Sequence, residues 1–183
     1  DVMRWIYCRQ EPTVNLNFGY GVAEEVRGKF YNTLWNTYSF LVNYARLDGF
    51  VPPETPTPIS ERPAFDRWIL SRLQGLILTA REGYEGYDTR RVCLAVEELL
   101  EELSNWYIRQ NRRRFWKTDD PADQRMAYET LYECVLSLIR IVAPIPGKGA
   151  VGVEIPNPQP ELVQLRGILE AREFSRAKGV LPL

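Results

Sequence analysis

The chain has 183 residues, 45% of them hydrophobic and 26% charged, a composition that excludes wholesale disorder and allows one domain with a sizeable core. Its net charge of −1 provides no overall attraction for nucleic acid, so a polyanion would have to be held by a local patch. Histidine is absent, which removes the usual general base, the His-paired nucleophiles and the commonest zinc ligand together.

From Asp1 to Tyr20 the sequence has no clear period, and Asn15, Asn17 and Gly19 lie close together, so the stretch reads as a linker or edge segment. Its opening on Asp1 and not on Met suggests a fragment or a processed chain. A first helix is predicted from about Val22 to Ala45, where Val22, Val26, Phe30, Leu34, Tyr38, Leu41, Val42 and Ala45 recur at helical spacing. Asp48-Gly49 stops it, and five prolines between Val51 and Pro63 predict an exposed, semi-rigid connection.

A second helix is predicted from about Ala64 to Tyr84, burying Phe65, Trp68, Ile69, Leu73, Leu76, Ile77 and Ala80, with Gly83 and Gly86 closing it. Asp88 is the N-cap expected for a third, whose apolar stripe of Val92, Val96, Leu99, Leu103 and Trp106 continues into Tyr107. The fourth has Asp120 as N-cap, Pro121 at its first position and Asp123 in its first turn. Met126, Leu131, Cys134, Val135, Leu138 and Val142 supply its core face. Four amphipathic helices with mostly short connections predict a mainly α chain, an antiparallel helical bundle over about residues 21–143.

The character changes at Pro144. Val151, Val153 and Ile155 alternate with Gly152 and Glu154, and a short helix around Glu161 to Arg172 follows, so residues 144–183 are expected to form a short α/β appendage of strand plus helix. Cys8, Cys93 and Cys134 are far apart and form no Cys-x-x-Cys pair, which points to reduced thiols in a cytoplasmic protein, with Cys93 and Cys134 in helix cores. No apolar stretch approaches the roughly 20 residues that span a bilayer, and no basic-then-apolar leader opens the chain, so no membrane partner is expected.

The third helix holds Glu97, Glu98, Glu101 and Glu102 in its middle and then Arg109, Arg112, Arg113, Arg114 and Lys117 at its end, with Trp106, Tyr107, Phe115 and Trp116 among them. Cations sit favourably at a helix C-terminus, and this alone could account for the run. Alternatively, guanidinium groups fork onto phosphate oxygens while aromatic rings stack on unpaired bases, which makes the run a polyanion site. Trp106 continues the apolar stripe and fits the core better than a base; Trp116 lies beyond the stripe and could pack or stack. Arg109 could instead pair with a glutamate of a neighbouring helix.

Four stretches carry a family resemblance: Lys29-Phe30-Tyr31-Asn32-Thr33-Leu34-Trp35-Asn36, Tyr44-Ala45-Arg46-Leu47-Asp48-Gly49-Phe50, Asp66-Arg67-Trp68-Ile69-Leu70-Ser71-Arg72-Leu73, and Leu103-Ser104-Asn105-Trp106-Tyr107-Ile108-Arg109 leading into Arg112-Arg113-Arg114-Phe115-Trp116-Lys117. In order and spacing they resemble the helical anticodon-binding domain of isoleucyl-tRNA synthetases, class I enzymes, over about residues 1–143. Asp1-Val2-Met3-Arg4-Trp5 resembles the stretch just after the catalytic domain, which makes residues 1–20 the expected linker from it. Valyl- and leucyl-tRNA synthetases share the bundle and part of the Ser-Asn-Trp-Tyr signature.

The resemblance implies a bundle that grips the anticodon side of a tRNA, expected to be isoleucine-specific, while a separate catalytic domain binds ATP and isoleucine. It makes Arg109, Arg112, Arg113, Arg114 and Lys117 the tRNA-contact candidates, with Trp106 and Trp116 stacking or packing. The family's two ATP-handling signatures, His-Ile-Gly-His and Lys-Met-Ser-Lys-Ser, are absent, so no cofactor and no aminoacylation are expected of this chain alone.

The tail is different. Pro146-Gly147-Lys148, Gly152-Val153-Glu154 and Pro156-Asn157 occur in the order found just upstream of the motor in FtsK/SpoIIIE-type DNA translocases, which residues 141–183 resemble. Gly147-Lys148 is no phosphate loop, because Val142 stands where the first glycine should be and Gly149 where Ser or Thr should follow. Two families joined near Val142 suggest a fusion, a gene-model artefact or a composite chain. Three functions are open at this point: recognition of tRNA, a translocase accessory fragment acting on duplex DNA, and a helical protein-interaction module that touches no nucleic acid.

Overall fold

The structure, a computed structural model, describes residues 1–16, 18–117 and 120–145, all within the compact unit Asp1–Val151. The expectations for the tail from residue 146 onward lie outside the described residues. Seven α-helices occupy the described part: α1 (Val2–Arg9), α2 (Tyr20–Val26), α3 (Asn32–Leu47), α4 (Ala64–Glu85), α5 (Thr89–Glu101), α6 (Arg109–Trp116) and α7 (Pro121–Val142). A π turn at Arg27–Tyr31 joins α2 to α3, and a second at Glu102–Ile108 joins α5 to α6, so each pair forms one continuous rod.

Side-chain bonds between helix ends define the topology. Tyr84 at the end of α4 donates to the Ile141 carbonyl near the end of α7, so these two run parallel. Asp66 at the start of α4 meets Arg114 near the end of α6, and Asp48 at the end of α3 meets Gln124 and Tyr128 in the first half of α7, so both of those pairs are antiparallel. The result is the antiparallel bundle expected from four amphipathic stripes. Its core runs through Ile69, Leu73, Val92, Leu99, Leu103, Leu131 and Leu138, all at most 2% exposed.

Local chemistry explains most boundaries. Asp88 accepts from the Arg91 backbone N–H and Asp120 from those of Ala122 and Asp123, the two expected N-caps. Helix α3 ends where Gly49 takes a φ of +65° and Phe50 donates back to the Ala45 carbonyl at 2.7 Å. Asp48 and Phe50 flank that turn and both hold Tyr128: the carboxylate accepts its hydroxyl, and the Phe50 ring stacks on it at 5.0 Å. Gly83 lies inside α4, where a Cβ would come within 2.5 Å of Val92 and 3.1 Å of the Asp88 carbonyl, so it allows α4 and α5 to close on each other.

Two expectations need correction. Residues 1–20 contain a helix: Trp5 and Ile6 of α1 are buried, with Trp5 stacked on Phe30 at 3.8 Å and its indole N–H donating to Glu97 at 2.9 Å. Eight residues are too few to display a helical period, and the asparagines and glycine that suggested a linker follow the helix instead of interrupting it.

The proline-rich connection is also more than an exposed spacer. Helix α3 packs more extensively on α7 than on α4, so residues 48–63 must cross to reach the start of α4. They are strapped to α7 by Arg62, 3% exposed, which donates to the Thr57 carbonyl, Thr130 Oγ1 and Glu133, and pairs with buried Glu129 at 3.7 Å. The Thr57 backbone N–H donates to the same Glu129 at 2.8 Å. Such long-range pairing leaves no periodic trace in a sequence.

Candidate nucleic-acid interface

The run from Arg109 to Lys117 is divided by the geometry of α6. At 3.6 residues per turn, Asn111, Arg114 and Phe115 face the bundle, and Arg109, Arg112, Arg113 and Trp116 fall together on the opposite side. Arg109, Arg112, Arg113 and Lys117 are exposed, and no side-chain hydrogen bond or ion pair holds them among the described residues. Arg109 therefore does not pair with a glutamate of a neighbouring helix within that part of the chain. The glutamates earlier on the same rod serve other arginines: Glu97 holds Arg9, and Glu98 and Glu102 hold Arg72 at 2.6 and 2.8 Å.

Arg114 departs from its expected role as a tRNA contact. Its side chain is 15% exposed and forks onto Asp66, with Nη1 to Oδ1 at 2.6 Å and Nη2 to Oδ2 at 2.9 Å. Nε donates to Asp123 at 2.8 Å, Nη2 to the Asp123 carbonyl at 3.1 Å, and Nη1 also to Asn111 at 3.1 Å. Burial works against its charge, but the hydrogen bonds to Asp66 and Asp123 outweigh that and hold the guanidinium above its ordinary range. Asp66, fully buried, also accepts from Tyr107 at 2.8 Å, and burial followed by the adjacent carboxylate pushes that phenol well up, so it remains a donor. A buried carboxylate requires this kind of neutralisation, which is why the cation on the inward side of α6 is arginine.

Trp106 was expected in the core and is 59% exposed. The π turn at Glu102–Ile108 explains the difference: a wider turn advances less per residue, so Tyr107 and Ile108 take the buried side after Leu103 and Trp106 swings out. Trp116 is 63% exposed, which ends the ambiguity between packing and exposure in favour of exposure. Two large indoles thus stand in solvent, Trp106 in the π turn before α6 and Trp116 at the end of α6, with the exposed arginines between them in sequence.

The end of the strip is anchored from α7. The Phe115 carbonyl accepts from Gln124 Nε2 at 3.3 Å and lies 3.3 Å from Tyr128 Oη, whose proton goes to Asp48, while the Phe115 ring meets Tyr128 edge-on at 5.2 Å. Sequence reading passed over Asp66, Asn111 and Asp123 as supports of the site, because an Asp in the first turn of a helix is already accounted for by the helix dipole. Arg67, beside Asp66 at the same end of the bundle, is exposed and has no ion pair among the described residues.

Comparison with known proteins places part of the chain in a family. Residues 66–146, beginning on the buried Asp66 and spanning α4 to α7, match the family described as the anticodon-binding domain of tRNA ligase. These residues belong to that family. Over 147 residues the chain is 44% identical to an isoleucine–tRNA ligase of Porphyromonas gingivalis, and over 146 residues 42% identical to that of Thermus thermophilus; each alignment covers 79% of this chain. A ligase of Dehalococcoides mccartyi is 41% identical over 145 residues, again 79% of the chain. The chain spans only 13% to 14% of the length of these relatives. Among the described residues of this anticodon-binding domain, no helix is long and apolar enough to cross a membrane, and no group of three or more His, Cys, Asp or Glu could hold a metal ion.

Proposed function

We propose that this anticodon-binding domain binds the anticodon side of an isoleucine-accepting tRNA through Arg109, Arg112, Arg113, Lys117, Trp106 and Trp116, as the recognition part of an isoleucine–tRNA ligase. The observation that carries the reading is the exposed strip on α6. Three of its cations are the forked, planar kind that suits phosphate, and two indoles beside them offer faces on which unpaired anticodon-loop bases can stack. Like charges crowded on one helix face destabilise that helix, so a partner of opposite charge is the physical counterpart that such a strip lacks within the described residues.

Aminoacylation is not part of this role. ATP and isoleucine would bind in the catalytic part of such a ligase, which is the second partner of this domain, and both ATP-handling signatures are missing from the chain. The working location would be the cytoplasm, where tRNA is charged.

The test is direct titration of the full 183-residue chain with an isoleucine tRNA transcript and, separately, with duplex DNA of equal charge, at low salt. Preferential, salt-sensitive binding of the tRNA is expected. Absence of tRNA binding at low salt would overturn the reading, and equal or tighter binding of the duplex would favour the DNA-translocase alternative.

A further inference from the structure

We infer that Arg114 is the positioning residue of the basic strip: clamped by Asp66 and Asp123, it sets the direction in which Arg109, Arg112, Arg113 and Trp116 meet the RNA backbone, without touching the RNA itself. The inference rests on the tRNA-binding reading above.

Helix α6 is short and internally repelled. It has eight residues, follows a π turn, and places Arg109 three and four positions from Arg112 and Arg113, with Arg113 four from Lys117. These are the spacings at which like charges on a helix oppose its formation. Only a few inward side chains counter that tendency, and Arg114 is the one that bonds to two other helices at once, Asp66 on α4 and Asp123 on α7. Each of its three nitrogens is already committed to a protein acceptor, so it has no donor face to offer a phosphate.

The clamp also helps to hold the bundle, because Asp66 is fully buried and shares its carboxylate between Arg114 and the core residue Tyr107. A large apolar core that includes Leu73, Val92, Leu99, Leu131 and Leu138 packs the helices in addition to the clamp. A change that removes the fork but keeps the positive charge should leave Asp66 neutralised and the bundle folded, with a misdirected strip. A planar fork is what the site requires, because two parallel N–H groups fix an orientation, whereas an ammonium in the same place fixes only a charge.

The experiment compares the full chain with its Arg114→Lys variant, which keeps the charge and loses the fork. Binding of an isoleucine tRNA transcript is measured over a salt series, well below the melting temperature, with far-ultraviolet circular dichroism reporting the folded state. Expected are an unchanged helical spectrum, about tenfold weaker binding, and a salt dependence reduced by about one phosphate contact. A lower melting temperature with unchanged affinity and salt slope would show a purely structural role and overturn the inference. Should Arg114→Lys fail to fold, Asp123→Asn, at the more exposed arm of the clamp, is expected to weaken binding by about threefold with a reduced slope, and unaltered binding there would overturn it equally. Failure of the parent chain to bind tRNA would remove the tRNA reading and this inference together. Loss of binding on Arg112→Ala with Arg113→Ala, but none on Arg114→Lys, would leave the reading standing and sink the positioning role alone.

Discussion

Replacing Arg112 and Arg113 together by alanine tests how many phosphates the strip engages. Four exposed cations, Arg109, Arg112, Arg113 and Lys117, have no side-chain partner among the described residues, which sets the largest number of contacts this helix end can make. With about 0.9 counterions released per phosphate neutralised on a duplex stem, log K should fall against log salt with a slope of about −3.6. Between 50 and 200 mM salt that is a loss of about 150-fold in affinity. The double variant retains two contacts, so its slope should be about −1.8 and its loss over the same interval about 12-fold. If the contacts lie on the single-stranded loop, the coefficient is nearer 0.7, and slopes of about −2.8 and −1.4 follow. Filter binding at six or seven salt concentrations separates these values. Equal slopes for the parent and the double variant would refute the assignment of phosphate contacts to Arg112 and Arg113.

Other measurements probe the scaffold. Arg62→Met should destabilise the chain by about 3 kcal/mol, because it strands Glu129 in the interior with only Thr57 and Arg125 to satisfy it; urea unfolding measures this, and Glu129→Gln in the same chain should recover part of the loss. Tyr87 sits at a φ of +57° just after α4, 91% exposed, where a side chain gains no packing and strains the backbone. Tyr87→Gly should therefore raise stability by about 0.5–1 kcal/mol, visible as a higher melting temperature. Burial pushes the Cys93 thiol from 9.0 up to about 12. Its neutral form is thus favoured by the fold, and the stabilisation is fully present below pH 9 and is lost as pH rises from there through about 12. Alkaline unfolding should accordingly be less steep in Cys93→Ala, and a thiol reagent at neutral pH should modify half-buried Cys8 well before Cys93 or Cys134.

The periodic part of this protein was legible from the chain. Stripes such as Ile69, Leu73, Leu76 and Ala80 identify helices because burial repeats every turn, and Asp88 and Asp120 announce helix starts because a cap acts over three residues. The family signatures were legible too, and the structure supplies their physical content. In the Leu47-Asp48-Gly49-Phe50 stretch, the aspartate binds Tyr128, the glycine allows the turn and the phenylalanine stacks on the same ring. In Asp66-Arg67-Trp68 the aspartate is half of the Arg114 clamp.

The exceptions share one property. Trp106 looked like core because its distance from Leu103 suits an α-helix, and a π turn with no local sequence signal moved it into solvent. Arg62 looked like part of a polar connection, and Arg114 like its neighbours Arg112 and Arg113, because nothing within a few residues distinguishes them.

The residues from Arg109 to Lys117 thus divide along the same line. That they form a basic helix end in a bundle of the anticodon-binding kind was determined by the sequence, through composition, spacing and local capping. Which of these cations reach solvent and which is consumed in holding the others was decided only by the tertiary structure. The acceptors that make the difference, Asp66 and Asp123, are 48 and 9 residues away from Arg114 and meet it only when α4, α6 and α7 converge.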